Sequence, residues 1–261
     1  MTKKIALQGI LFDEKSSYLR GPALAPPLIR KAYHSASVNY FAENGMEILP
    51  EVFDDKGDFE IKAYFDIQKI TSKNLASKSP LITLGGDHSI SYPLVKAHYE
   101  KYGAFDILHI DAHADLYSIF EGDIYSHACP FARILENKLA KRLVQIGIRT
   151  LSKHQAEQAD KFGVEIIQMK DFDLNQLPEF TNPIYLSLDI DALDPAFAPG
   201  VSHHEPGGLS TREVLGIIQH IKVPILGADI VEYNPTRDIQ DMTAMLSAKL
   251  LKEIAAKMLQ K

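Results

Sequence analysis

Four apolar runs in this chain lead into acidic blocks. GGDHS (Gly85 to Ser89), DAHAD (Asp111 to Asp115), SLDID (Ser187 to Asp191) and DIVE (Asp229 to Glu232) each close a β-branched stretch that reads as a buried strand. A carboxylate at the end of such a strand is costly to bury unless something cationic compensates it. Several of them at one sheet edge call for a divalent metal, and two ions serve better than one. The strands must therefore finish together, which limits the folds open to the sequence.

Apolar runs alternate with helix-like stretches almost throughout. Strands are expected at 5–10, 46–51, 80–84, 105–111, 143–148, 164–168, 183–189 and 225–231, and helices at 24–34, 59–77, 90–101, 127–136, 153–162, 210–220 and 240–259. Several strand runs lack polar alternation, which indicates a mostly parallel sheet covered on both faces. In such a sheet ligands gather beyond the carboxyl ends of the strands, where all four acidic blocks fall. An eightfold β/α barrel is the rival architecture. The long connection between Phe12 and Asn44 and the uneven strand spacing favour the open sheet. With 261 residues and no linker, the whole chain (1–261) reads as a single domain.

Composition narrows the partners. The net charge is −6 with no long basic run, which argues against nucleic acid. Two bound divalent cations would offset four of those charges, and a residual negative field at the cleft would favour a cationic substrate. No apolar run approaches the ~20 residues that span a bilayer. The opening Met1-Thr-Lys-Lys-Ile-Ala-Leu-Gln-Gly is too short in apolar length for a signal peptide and leads into a first strand. The single cysteine, Cys129, excludes an intrachain disulfide and fits a reducing compartment, by default the cytoplasm.

In DAHAD the side chains of Asp111, His113 and Asp115 share one face of an extended chain, with Ala112 and Ala114 on the other. Asp189 and Asp191 repeat that spacing, and His88 adds a nitrogen after the Gly85-Gly86 turn. Oxygen-rich ligation with two imidazoles and no thiolate suits an ion such as Mn²⁺ more than structural zinc. Six ligands exceed what one such site takes from protein while keeping a position for water, whereas two ions sharing carboxylates use all six. Singly, each acid reads equally well as a cap or a surface group; Asp13, Asp54, Asp55, Asp58 and Asp171 are read that way.

The set GGDHS, DAHAD, SLDIDALDP and EYNP, in this order, resembles the ureohydrolases, the family of arginase and agmatinase. The resemblance extends to Arg20-Gly21-Pro22 and to Gly207-Gly208-Leu209. It implies a three-layer α/β/α fold, two Mn²⁺ per chain, and hydrolysis of a guanidinium group to urea and an amine. On the matched positions, one ion would take His88, Asp111, Asp115 and Asp189, and the other His113, Asp111, Asp189 and Asp191, with Asp111 and Asp189 shared. Water between the ions would be the nucleophile. His127 matches the histidine that shuttles protons to the departing amine, and Glu232 the carboxylate that pairs with the substrate guanidinium. The family's habit further implies a homo-oligomer, a trimer or hexamer.

Two loops bear on the substrate. Arginases carry an Asn, Thr and Ser-rich loop between the DAHAD block and the catalytic histidine, and an aspartate after the segment that here reads Gly147-Ile148-Arg149. This chain has Leu116-Tyr-Ser-Ile-Phe-Glu-Gly-Asp-Ile-Tyr-Ser126 and Thr150-Leu151-Ser152 instead. Both departures look more like agmatinases, so agmatine is expected over arginine, with guanidinobutyrate and similar compounds open. His203, in the polar loop after Pro199, falls where relatives have a small residue and is expected to line the pocket. Arg149 and Cys129 are expected to be structural. Metallophosphatases also use an Asp-x-His block but need an Asn in a Gly-Asn-His turn, which is missing here. Zinc deacetylases use one metal, and a regulatory homologue would have lost ligands.

Overall fold

The computed structural model describes residues 4–76 and 79–260. Its strands are β1 (Ile5–Leu11), β2 (Phe53–Glu60), β3 (Leu81–Leu84), β4 (Phe105–Ile110), β5 (Ala140–Ile148), β6 (Glu165–Gln168), β7 (Ile184–Asp189) and β8 (Ile225–Val231). They form one sheet in the order β2-β1-β3-β8-β7-β4-β5-β6, and every neighbouring pair is parallel. The four central strands β3, β8, β7 and β4 are therefore adjacent, and they are the four that lead into the acidic blocks. After β3 the chain crosses to β4 and winds outward through β5 and β6. It then returns to fill the centre with β7 and β8, which is how distant blocks come side by side.

The helices are α1 (Ala25–Tyr33), α2 (Asp66–Asn74), α3 (Ser91–Tyr102), α4 (Pro130–Glu136), α5 (Lys153–Phe162), α6 (Thr211–His220) and α7 (Met242–Leu259). One apolar core joins the sheet to α1, α6 and α7 through residues such as Ile29, Leu215 and Leu250. A second joins it to α2, α3, α4 and α5 through Ile67, Leu94, Phe131 and Ala159. The layers are thus helix, sheet, helix, the α/β/α arrangement expected. Covering both faces explains why the central strands are apolar without alternation. Helix α6 starts at a capping box in which Ser210 and Glu213 satisfy each other's backbone amides.

Two expectations fail in the same region. The strand expected at 46–51 is a connection, and the true edge strand is β2, whose sequence FDDKGDFE carries five charged residues. An edge strand needs little burial, and its outer charges discourage further pairing. The helix expected at 59–77 begins late, at Asp66, because Phe59 and Glu60 belong to β2. Its expected end at Ser77, and residues 1–3 of the opening stretch, lie outside the described residues. No helix among the described residues is long and apolar enough to cross a membrane.

One polar row crosses this apolar sheet. Gln8, Thr83, Asp229, Ser187, His109 and Gln145 are register partners in sequence across six strands, and all six are fully buried. Their side chains share one face. The acids Asp111 and Asp189 lie two residues further along the same chain segments as His109 and Ser187, so the row underlies the carboxyl edge.

Candidate metal centre

His88 stands at the middle of the expected ligands. It follows the turn at Gly85-Gly86, where a Cβ on Gly86 would lie 1.6 Å from the Phe12 carbonyl oxygen, so only glycine lets the chain pass. Nδ1 of His88 faces Oδ2 of Asp111 at 3.0 Å, of Asp115 at 3.2 Å and of Asp189 at 3.1 Å. On the other side of the ring, Nε2 lies 2.9 Å from the Ser187 hydroxyl, which itself donates to Asp229 at 2.7 Å. Since that hydroxyl proton goes to Asp229, Ser187 accepts from Nε2–H, and Nδ1 is left with a lone pair. Buried Nδ1 makes no hydrogen bond of proper geometry.

A lone pair aimed at three buried carboxylate oxygens is repulsive unless a cation lies among them. Without one, His88 takes up a proton: burial works against the charge, and Asp111, Asp115 and Asp189 outweigh it, holding the ring well above its ordinary range. One nitrogen and three oxygens are thus gathered where they could hold a cation. His113 marks a second, with Nδ1 at 3.1 Å from Asp191 and 3.5 Å from Asp111. Asp111, His113 and Asp191 offer ligand atoms close enough for one ion, and oxygens of Asp111, Asp115 and Asp189 gather about His88 Nδ1 for another. Asp111 belongs to both groups. The four carboxylates balance two divalent cations in charge, and without cations burial, Asp191 and Asp111 push Asp189 well above the usual carboxylate range.

Two site residues adopt the left-handed backbone region, Asp115 at φ 50° and Glu232 at φ 62°. Such a conformation costs a non-glycine residue about 1–3 kcal/mol and is held by its surroundings. For Glu232 the holders are its own amide on the Gly86 carbonyl at 2.9 Å and its Oε1, which accepts from the His88 amide at 2.9 Å. The carboxylate consequently turns back over the cluster.

His127 meets that same Oε1 through Nδ1 at 2.9 Å, and its Nε2 lies 3.2 Å from the Ser17 amide and 2.8 Å from the Ser17 hydroxyl. Burial disfavours the charged ring, but Glu232 more than compensates and raises His127 to about 9. The Ser17 amide opposes this, because an N–H can only donate and so requires a lone pair on Nε2.

These groups line one cleft of about 730 Å³, counting its solvent-filled mouth. His113, Asp115, Asp189 and Asp191 form the floor, and His127, Glu232, His203, Ser17, Tyr117, Phe120, Thr150, Gln155 and Glu205 also face it. All nine residues expected in the site thus come together, with His88 and Asp111 buried beneath. The His203 ring lies 5.7 Å from that of His113 and 5.5 Å from that of His127. Its loop is fixed at both ends, by the Val201–Tyr233 bridge and by Arg149, which donates to the Glu205 carbonyl at 2.9 and 2.6 Å. Arg149 spends its other N–H groups on carbonyls, so it is structural as expected, and Cys129 is buried. Sequence reasoning missed Ser17, His109, Gln145, Ser187 and Asp229. The in-strand members carried a signal, a polar residue set between apolar neighbours within the strand; Ser17 carried none.

A sequence profile of the arginase family matches residues 3–256. The chain belongs to the arginase family. Among members of the arginase family, arginase 2, chloroplastic/mitochondrial, of Arabidopsis thaliana is 46% identical over 275 residues, covering 97% of this chain and 80% of that protein. The N(1)-aminopropylagmatine ureohydrolase of Thermus thermophilus is 40% identical over 187 residues, covering 68% of this chain and 63% of that one. The structure of arginase from Medicago truncatula superposes with a TM-score of 0.91 at 43% identity, covering 98% of this chain and 88% of that chain. Membership makes the chain a hydrolase of the ureohydrolase type, and the His and Asp groups fit the dinuclear manganese centre general to the arginase family.

Proposed function

We propose that this chain hydrolyses the terminal guanidinium group of L-arginine to urea and L-ornithine. The observation that carries the reaction is the cleft itself, in which a two-cation donor set faces Glu232 and His127. Guanidinium and water yield urea and an alkylammonium ion, so atoms and charge balance. His88, Asp111, Asp115, Asp189, Asp191 and His113 would hold two Mn²⁺. Bound there, the pair would supply Lewis acidity and lower the proton affinity of water.

The remaining steps fall to the chain's own side chains. Both hydrogen bonds to Glu232 fall on Oε1, which leaves Oε2 as the acceptor for a substrate N–H. A carboxylate so placed orients the planar cation and holds its carbon toward the cluster. His127, held by Glu232 and Ser17, can pass a proton to the nitrogen that departs. His203 supplies a wall for the methylene stem.

Arginine is supported by the names of the 46–47% identical plant relatives and by Gln155. The Gln155 Oε1 accepts from the Leu116 amide at 3.3 Å, which leaves its NH₂ as a donor on the cleft wall, suited to a carboxylate. Agmatine is the second reading. Among the described residues no Lys or Arg lines the cleft, and an unpaired buried carboxylate is strongly rejected. Urea release from a panel of arginine, agmatine and guanidinobutyrate, with Mn²⁺ supplied, tests the choice. Turnover of none of them would overturn the activity.

The partner proposed is thus a small cationic guanidino compound; neither nucleic acid nor membrane is proposed. The resemblance supports a homo-oligomer, trimer or hexamer, which sedimentation of the purified chain tests. A cytoplasmic location is supported by the lone, buried Cys129, whereas the Arabidopsis relative's name gives chloroplast and mitochondrion. Fractionation of the source cells decides between them.

A further inference from the structure

Gln145 and His109 face each other across β5 and β4 in the polar row. The Gln145 Nε2 lies 2.7 Å from the Ala114 carbonyl oxygen and 2.9 Å from Nδ1 of His109. Ala114 O accepts only, so it must meet the amide nitrogen; turning the amide over would set two acceptors 2.7 Å apart. The second amide hydrogen then points at Nδ1 of His109, which must offer a lone pair. The ring proton is thereby assigned to Nε2, which donates to Oδ2 of Asp111 at 2.7 Å. Phe131, stacked on the ring at 3.9 Å, and His88, edge-on at 5.0 Å, hold its plane.

The consequence falls on Asp111. Its Oδ2 accepts from His109, and its Oδ1 from the His113 amide at 2.6 Å. Each oxygen has one donor from the protein and one remaining lone-pair direction. Oδ2 faces His88 Nδ1 and Oδ1 faces His113 Nδ1, so the two free directions point to the two cation positions. The arrangement also leaves Gln145 Oε1 buried with no partner, a cost of about 1–3 kcal/mol. Packing alone gives no reason to keep an amide there, since a methionine fills similar space without the orphaned oxygen.

We propose that Gln145 is a positioning residue: it fixes the tautomer of His109, which in turn orients Asp111 so that one oxygen stays free toward His88 and the other toward His113, where divalent cations would be held. The inference rests on Asp111 as a shared ligand, and not on which guanidino compound is cleaved. It concerns residues outside the set that contacts substrate.

Long-range ¹H–¹⁵N correlation of the histidines tests the tautomer in the full chain loaded with Zn²⁺, a diamagnetic stand-in. His109 should show a pyridine-like Nδ1 and a protonated Nε2; the opposite pattern overturns the proposal. Mn²⁺ affinity by calorimetry tests the consequence. Gln145→Met should weaken binding about 10-fold or more, the range seen when such outer partners of a ligand are removed. His109→Phe should weaken it at least as much. Because Gln145 acts through His109, the double variant should bind no worse than His109→Phe alone. Additive losses would overturn the relay, and so would unchanged affinity in Gln145→Met. If that variant fails to fold, the wild-type spectrum still decides. Intact Mn²⁺ binding without urea release would sink the proposed activity and leave this inference standing.

Discussion

Nδ1 of His127 lies 2.9 Å from Oε1 of Glu232, a contact that joins the proton-carrying wall of the cleft to its carboxylate wall. The bond fixes which nitrogen of His127 faces Glu232 and turns Nε2 toward Ser17. His127→Asn removes the group that can deliver a proton to the leaving amine. We expect kcat for urea release to fall roughly 100- to 10,000-fold with a small change in KM. Unchanged kcat would remove His127 from the mechanism.

Glu232→Gln keeps the shape and loses the charge. Its partner is a guanidinium, and a hydrogen bond to a charged group contributes about 1.5–3 kcal/mol. The expected result is a loss of roughly 10- to 100-fold in kcat/KM for every guanidino substrate, measured as urea, while Mn²⁺ stoichiometry stays at the wild-type value. Loss of an ion would instead make Glu232 a ligand.

Gln155 separates arginine from agmatine, because only arginine has a carboxylate for its NH₂ to meet. In Gln155→Met, KM for arginine should rise by about tenfold or more, and KM for agmatine should hardly move. Equal effects on both substrates would detach Gln155 from carboxylate recognition.

His98 predicts an acid sensitivity unrelated to the metal centre. Its Nδ1 bonds the Leu94 carbonyl at 2.8 Å, its Nε2 is buried without a partner, and burial lowers it from 6.5 to about 4. Between those values the unfolded chain binds a proton that the folded chain refuses. His98's contribution is therefore complete above about pH 6.5 and is lost as pH falls toward 4, by about 3 kcal/mol in total. Urea denaturation of metal-stripped protein at pH 7.5 and pH 4.5 should show a larger loss for wild type than for His98→Phe. Parallel losses would contradict the assignment.

The site was legible in the sequence where its ligands come as contiguous blocks, such as Asp111, His113 and Asp115, because strand geometry alone aligns alternate side chains. It was legible also that β3, β4, β7 and β8 carry those blocks at their carboxyl ends. The strand order was not, and with it the row from Gln8 to Gln145 stayed hidden, since neighbours in that row are set by register between strands far apart in sequence. Ser17 reaches His127 across 110 residues from a loop with no periodicity. β2 was missed because its charged residues give an edge strand no apolar pattern to read.

Metal content against activity tests the central claim most directly. The chain stripped with EDTA should release no urea from any guanidine, and titration with Mn²⁺ should restore turnover as binding approaches two ions per chain. Asp111→Asn, which alters the carboxylate common to both groups, should weaken both ions together. Full activity in the stripped protein, or saturation at one ion with full turnover, would contradict a paired-cation centre.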